Sequence, residues 1–590
     1  MAFSLRPVDE KIDVVDKPAE LFTAPPNLGN YEAAYREFTW EQARREIDWF
    51  DEDHLNAACN AVDRHAVGWR KNKVALYWEG ERGEVEKYTF RELSELSNQL
   101  ANALKDMGIE RGDRVFIFLP RLPELYIAFL AILKLGAVAG TIFAAFGPEA
   151  IRDRLGDSEA RAVITIPRFH ERIEAVRDDL PTLKDVILVD TRGTEFRAKE
   201  GEHLYSKMMA GADRRFTPAV TAAEDYAFML YTSGTTGKSK GVVHAHEAII
   251  QEHLTAKWIL DLKDDDIYWC TADPGWVTGI AYGILGSWSN GATSVIYEGR
   301  FNPREWYRIV EKYEVTVWYT APTAIRMLMK AGSESVVEFD LSSLRHLASV
   351  GEPLNPEAIR WGLEVFGLPF HDTWWQTETG SILIANYPSI SVKLGSMGLP
   401  FPGVTAAIVD DEGKELPSET PGHLAIKPGW PAMFRTVWHN ETKYEEYFNN
   451  GWYITGDRAY MDSDGYFWFI GRADDVIKTA GERVGPFEVE SALVDHPAVA
   501  EAGVIGKPDM VRGEIIKAFV VLASDREPSS ELERELRVFV KKQLAGHAYP
   551  REIEFTDLLP KTQSGKIMRR VLKARELGLP VGDLSTLEAT

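Results

Sequence analysis

Short apolar runs alternate with helix-length segments along most of this chain. That alternation is what most narrows the possible folds. Val115–Leu119, Ala162–Ile166, Val186–Val189, Ala227–Tyr231, Thr293–Tyr297, Thr316–Tyr319 and Leu347–Val350 have the length and composition of strands buried on both faces. Between them, Phe90–Met107, Glu124–Lys134, Pro303–Tyr313 and Pro356–Phe366 have helical spacing. The expected class is α/β: a large multi-lobed body with two α/β sheets. One stretch, Leu125–Phe146, is long enough to span a membrane and carries a single charge, Lys134. A charge at mid-span costs about 2.5–3.5 kcal/mol, and Gly136 and Gly140 break the run, so a buried helix followed by a strand is expected.

After about residue 400 the texture changes. Gly403–Asp410, His423–Lys427 and Tyr466–Ile470 read as short strands between Gly, Pro and Asp turns, a small β-rich lobe over about 400–470. A boundary near Gly471–Asp475 divides the chain into 1–473 and an α+β unit, 474–590. That unit holds a helix near Glu531–Leu544, with Ser530 and Glu533 as capping box and Gly546 as the stop.

Composition excludes several functions. Of 590 residues, 67 are basic and 90 acidic, a net charge of −23, which disfavours nucleic acid and anionic membranes as partners. Two cysteines, Cys59 and Cys270, provide no disulfide framework, and the N-terminus has no apolar signal core, so a cytoplasmic location is expected.

The strongest local signal is Tyr231-Thr232-Ser233-Gly234-Thr235-Thr236-Gly237-Lys238-Ser239-Lys240-Gly241, directly after an apolar run. Glycines let backbone N–H groups approach an anion, hydroxyls donate to phosphate oxygens and lysine supplies charge, so this is a polyphosphate cradle by composition. It is not a Walker A loop, because only Thr235 and Thr236 separate Gly234 from Gly237-Lys238. The plainer alternative is a hairpin turn.

The loop resembles the signature of the adenylate-forming superfamily, which includes acyl-coenzyme A synthetases, luciferases and peptide-synthetase adenylation domains. Further matching motifs follow in order: Gly351-Glu352-Pro353, Asp372-Thr373-Trp374-Trp375-Gln376-Thr377-Glu378-Thr379-Gly380, Tyr453-Ile454-Thr455-Gly456-Asp457, Gly471-Arg472-Ala473-Asp474-Asp475, Gly481-Glu482-Arg483 and Pro560-Lys561-Thr562-Gln563-Ser564-Gly565-Lys566. The resemblance runs from about residue 50 to 575 and is greatest to the AMP-forming acetate-activating branch.

It implies a two-step ligase. A carboxylate attacks the α-phosphate of ATP, and the thiol of coenzyme A then displaces AMP. Lys566 would bridge carboxylate and α-phosphate; from its surroundings alone, beside Arg569 and Arg570, it reads instead as a solvated surface lysine in a basic patch. Thr232 to Lys238 would hold the polyphosphate, and Gly351, Glu352 and Pro353 with Asp372 to Thr377 would wall the adenine and phosphates. Asp457 would take the ribose diol, Arg472 and Arg483 would contact ATP, and Glu378 would ligate Mg²⁺ with the nucleotide. Asp474 would be the hinge on which the C-terminal unit exchanges its Lys566 face for one near Gly481.

The same resemblance places Trp375 at the end of the acyl pocket, with Val277, Thr278 and Val350 as further walls. A bulky indole with compact uncharged neighbours favours acetate; propionate or another short acid is the alternative, and an adenylating module serving a carrier protein is a third. Coenzyme A would meet Arg168, Arg172, Thr278, Asn302, Thr479 or Ala480, Gly481 and Arg551. Phe143-Ala144-Ala145-Phe146 stands where the acetate enzymes carry Phe-Gly-Gly-Phe, which would alter the fit of the pantetheine arm. Val494, His496 and Val499 match a family cation site, against the plainer reading of a surface histidine before a turn. Acetylation of Lys566 would delete its charge, so a lysine acetyltransferase and deacetylase are expected partners.

Overall fold

The computed structural model describes residues 13–17, 24–190, 196–233, 239–332, 334–479, 482–509, 512–523, 526–544, 548–562 and 566–581. Among these, the apolar runs assemble into two large sheets. One has eight strands in the spatial order Thr436–Val437, Ser239–Ala245, Tyr226–Ser233, Val138–Thr141, Arg114–Phe118, Ala162–Thr165, Asp185–Leu188 and Glu202–Leu204. The other has nine, with Phe370–Trp374, His346–Val350, Val317–Thr320, Ile267–Cys270 and Thr293–Tyr297 parallel at its centre. All seven sequence-read strands and all four helices are present at their expected places.

Their near-continuous hydrophobicity follows from burial on both faces. Val115–Phe118, Ala162–Thr165 and His346–Val350 are buried throughout; helix Pro123–Leu135 is laid against the first of them, and helix Phe90–Asp106 packs on that helix. The long apolar stretch is the helix Pro123–Leu135 followed by the strand Val138–Thr141, joined through Gly136 at φ +75°. Lys134 is fully buried, and its ammonium donates to Asp63 at 2.6 Å and Asn98 at 2.8 Å, which is how a charge persists inside this core. No helix among the described residues is long and apolar enough to cross a membrane.

The β-rich lobe is a separate five-stranded sheet of Ala406–Val409, Gly422–Ile426, Phe448–Asn449, Trp452–Met461 and Phe467–Arg472. The last strand of this lobe ends at Arg472, and a further five-stranded sheet begins at Ile477. The expected helix near residue 531 spans Ser530–Gln543, but its cap is one residue earlier than the sequence suggests. Ser529 Oγ accepts from Leu532 N at 3.1 Å, while Glu533 pairs with Arg537. Ser530 therefore lies inside the first turn, where its hydroxyl cannot reach the N3 amide. Gly546, the expected stop, lies outside the described residues.

Candidate active site

Two neighbouring strands of the nine-stranded sheet end side by side, and one strand of the eight-stranded sheet runs into the hydroxyl-rich motif. Tyr226–Ser233 leads into the Gly-Thr-rich loop, His346–Val350 into Gly351, and Phe370–Trp374 into Trp375. Crevices outside the carboxyl ends of parallel strands are where open α/β sheets bind ligands, because the chain there is released from sheet pairing. Ser233 pairs across the sheet with Ser239, so the strands on either side of the motif are antiparallel neighbours. Thr232 is half-buried at the rim; Gly234, Thr235, Thr236, Gly237 and Lys238, and the side chain of Ser233, lie outside the described residues.

Asp457 is the hub. Trp374 Nε1 donates to its Oδ2 at 3.0 Å, Gln376 Nε2 to the same oxygen at 3.1 Å, and Arg472 Nη1 to Oδ1 at 2.9 Å. Three donors occupy a group with about four acceptor positions, so a further hydroxyl can still be accepted. Gly456 sits at φ +74°, and a β-carbon there would stand 3.0 Å from the Arg472 guanidinium, so both the turn and the arginine require glycine. Gln376 is itself held by Tyr453, whose hydroxyl donates to Oε1 at 2.8 Å. Thus Trp374, Gln376, Asp457 and Arg472 are one cluster, joining the central sheet to the β-rich lobe.

Around it, Gly351 is left-handed at φ +94° with open space where a side chain would be. Glu352 has both oxygens engaged, Oε1 by Thr323 and Oε2 by Arg326, each at 2.6 Å, so its contribution to a ligand would come from backbone. Pro353 follows, half-buried. Burial pushes the Asp372 carboxyl up to about 7, and its Oδ1 accepts from Thr373 N at 3.0 Å. The Thr373 hydroxyl bridges Ser349 O and Tyr319. Thr377 lies in the turn that follows.

Trp375 is nine-tenths buried. Its indole N–H donates to the Tyr319 hydroxyl at 3.2 Å, and its ring meets Tyr282 edge-on at 5.1 Å. Val277 and Val350 belong to the same buried cluster, and Thr278 follows Val277 at the start of a helical segment. The indole is thus fixed from two sides.

Glu378 is half-buried, and Tyr447 donates to its Oε1 at 2.9 Å. One carboxylate with an oxygen to spare suits a Mg²⁺ that takes its remaining ligands from phosphates and water. Sequence reading missed two neighbours here. Tyr447 orients Glu378, and Lys240 faces Glu378 and Arg472 from the strand after the loop; burial, then Lys443, lowers its pKa, while Glu378 opposes this. The second lysine of the loop motif was the available signal.

Lys566 stands at an exposed position in the C-terminal unit. Its ammonium nevertheless feels the charges of the crevice: loss of hydration and then Arg472 lower its pKa, while Asp457 and Glu352 pull it upward. The chain around it is fixed by Thr562 N donating to Lys566 O at 2.7 Å and by the return bond from Lys566 N to Thr562 Oγ1 at 3.0 Å. Arg569 is committed to Glu490 and Asp475, which leaves Lys566 as the cation facing Asp457 from this element. Asp474 is exposed in the turn between the two sheets, 3.9 Å from Arg472. The side chain of Arg483 lies outside the described residues.

The coenzyme A candidates each have their own local partners. Arg168 is exposed over the Phe169 ring, and Arg172 donates to Ala144 O at 2.9 Å and Phe146 O at 3.2 Å, bracing the segment that departs from the family pattern. Asn302 caps the helix Pro303–Tyr313, accepting from Glu305 N at 3.2 Å. Thr479 is buried in the C-terminal sheet, Ala480 and Gly481 lie outside the described residues, and Arg551 stacks on Tyr549. Among the described residues no hydrogen bond or ion pair links Arg168, Asn302 and Arg551. His496 is buried against Phe539, with Nδ1 accepting from Ala498 N at 3.2 Å and Nε2 facing Glu535 at 3.4 Å. These contacts are those of a turn-fixing histidine. Val494 and Val499 flank that turn.

Residues 62–438 match the AMP-binding enzyme family, and residues 488–566 match the AMP-binding enzyme C-terminal domain. An acetyl-coenzyme A synthetase of Bacillus subtilis (strain 168) is 58% identical over 566 residues, covering 95% of this chain and 98% of the relative. The crystal structure of a Brucella canis acyl-CoA synthetase superposes with a TM-score of 0.74 at 38% identity, over 93% of this chain and 99% of that one. The anthranilate CoA ligase AuaEII, solved in complex with anthranoyl-AMP, gives a TM-score of 0.82 at 30% identity, over 92% and 99%.

Proposed function

We propose, for a chain that belongs to the AMP-binding enzyme family, the activity of an AMP-forming acetate–coenzyme A ligase. Acetate, ATP and coenzyme A become acetyl-coenzyme A, AMP and diphosphate through an acetyl-adenylate. The observation that carries the choice of acid is the fixed indole of Trp375, held by Tyr319 and Tyr282 among compact, uncharged neighbours. It leaves space for a methyl group and disfavours each added methylene by about 1–3 kcal/mol. The absence of an acidic group from Val277, Thr278, Val350 and Trp375 argues against an amino acid substrate, and so against a carrier-loading module.

In the first step an acetate oxygen attacks the α-phosphorus, and the bond to the bridging oxygen breaks to release diphosphate. Two anions must approach each other, so the barrier falls where fixed cations face the charge that develops. Lys566 and Arg472 supply them, with Lys240 toward the polyphosphate. Asp457 takes the ribose hydroxyls, and its existing bonds to Trp374, Gln376 and Arg472 hold the acceptor oxygens still. Glu378 would hold a Mg²⁺ bound with the nucleotide, and that ion would neutralise phosphate charge. In the second step the sulfur of coenzyme A attacks the acyl carbon, the carbon–oxygen bond to AMP breaks, and the thiol proton passes to solvent.

The hinge is assigned to Asp474, dividing 1–473 from 474–590, with rotation removing Lys566 once the adenylate has formed. Lys566→Ala is therefore expected to abolish acetate-dependent diphosphate release while thioester formation from preformed acetyl-adenylate persists. Equal loss of both half-reactions would defeat this division of labour. Acetylation of Lys566 by a lysine acetyltransferase would reproduce the alanine result, and deacetylation would reverse it. Activity across a series of acids of increasing length, followed by diphosphate release, separates acetate from propionate preference.

A further inference from the structure

On the edge of the eight-stranded sheet, three ligating side chains converge. Helix Pro167–Glu174 places His170 and Glu174 one turn apart on a single face, and the edge strand Glu202–Leu204 brings Glu202 against them. His170 Nε2 is 2.8 Å from Glu202 Oε1 and 3.5 Å from Glu174 Oε1. The His170 and Glu202 side chains are only 7% and 5% exposed. Despite that burial, Nε2 makes no hydrogen bond, because neither carboxylate lies where its proton would point. The three ligand atoms all lie within 4.8 Å of one another.

We propose that His170, Glu174 and Glu202 bind a divalent transition-metal ion of the zinc class. Nitrogen and oxygen ligands at about 2.0–2.2 Å from a tetrahedral ion stand roughly 3.3 Å apart, and the two contacts to Nε2 bracket that edge. An imidazole nitrogen selects zinc, cobalt or nickel over magnesium and calcium, which prefer oxygen alone. One neutral imidazole and two carboxylates balance the ion's charge, and water completes the shell. The surroundings support the ligands. Lys199 N donates to Glu202 Oε2 at 2.8 Å, which directs Oε1 toward the histidine, and the Phe196 ring covers the imidazole edge-on at 5.1 Å. Lys199 Nζ lies 3.6 Å from Glu174 Oε2, where it competes with the ion for that ligand.

The ion would fasten the helix to the sheet edge. That helix also carries Arg172, which braces Ala144 and Phe146, so the site would stiffen the segment nearest the expected coenzyme A entrance without touching the reacting atoms.

The test uses the full chain, freed of metal by chelator and without nucleotide. Expected are one equivalent of Zn²⁺ per chain by equilibrium dialysis, a rise in Tm with Zn²⁺ but not Mg²⁺, and the visible ligand-field bands of tetrahedral Co²⁺. His170→Ala and the near-isosteric Glu202→Gln should each remove the bands and weaken Zn²⁺ binding roughly tenfold or more. Glu378→Gln should retain both. No tetrahedral Co²⁺ spectrum in the wild type, or full retention in Glu202→Gln with a normal Tm, would overturn the proposal and leave the cluster as a histidine packed between two carboxylates.

Discussion

Trp375 combines a structural contact with a boundary for substrate, and one substitution tests both. Its indole donates to Tyr319 and packs edge-on against Tyr282, which in turn bonds Thr255 and Ser381. Trp375→Gly deletes the ring, so the site should admit longer chains. Acetate loses its wall and longer acids gain volume, so the ratio of kcat/KM for butyrate over acetate should rise at least about tenfold. The same change removes a large buried side chain, at a cost of about 3–5 kcal/mol, which a lowered Tm will register. A fall in Tm with no change in chain-length preference would leave Trp375 as a core residue only. Lys134 is the contrasting case: its charge within an apolar stretch signalled a buried partner, but Asp63 and Asn98 come from 71 and 36 positions away and could not be read from the local sequence.

At the scale of single elements, helix Ser530–Gln543 shows how closely a cap can be located. Two adjacent serines precede the apolar positions, and only Ser529 has the extended backbone, φ −151° and ψ 156°, that lets its hydroxyl reach the Leu532 amide. Ser529→Ala should therefore destabilise the C-terminal unit by about 1 kcal/mol in urea unfolding, with Ser530→Ala close to neutral. The reverse order would restore the sequence-based register. The same physics sets what was legible elsewhere. Buried parallel strands announce themselves because both faces are apolar, so Ala162–Thr165 and His346–Val350 were found to within a residue or two. Pairs such as Ile384–Ala385 and Val392–Lys393 were not, since two residues carry no periodicity. Glu378 was expected as a ligand from the resemblance of its motif. Tyr447, which orients it, lies 69 positions away with nothing in its neighbours to mark it.

At the scale of the whole molecule, the seating of the C-terminal unit involves a proton. Glu357 opens helix Pro356–Phe366 of the large body, and Asp495 ends helix Pro486–Val494 of the C-terminal unit. Burial, and then the Asp495 carboxyl hydrogen-bonded to it, push Glu357 up to about 8, with Arg360 opposing more weakly. Arg360 donates to Glu357 Oε1 at 3.0 Å, while Glu357 Oε2 and Asp495 Oδ1 find no donor among the described residues, so protonation of Glu357 favours the contact between them. Asn355 adds a neutral bond to Ser491 Oγ at 2.6 Å beside the pair. A carboxyl whose pKa is raised on docking favours the docked state fully below its ordinary value of 4.5, and that advantage is lost as pH rises through about 8. The docked state is the one that turns Lys566 toward Asp457 and Glu352, so alkaline pH should weaken adenylation before it weakens thioester formation. Lys566 itself loses charge more readily than an ordinary lysine, which would give a decline of the same sign, so the wild-type profile alone does not separate the two causes. Glu357→Gln separates them, since its amide can donate to Asp495 without titrating and leaves Lys566 untouched. The variant should hold its adenylation rate to higher pH than the wild type. Superimposable pH profiles for the two would assign the decline to Lys566 and remove the carboxyl pair from any part in seating the domain.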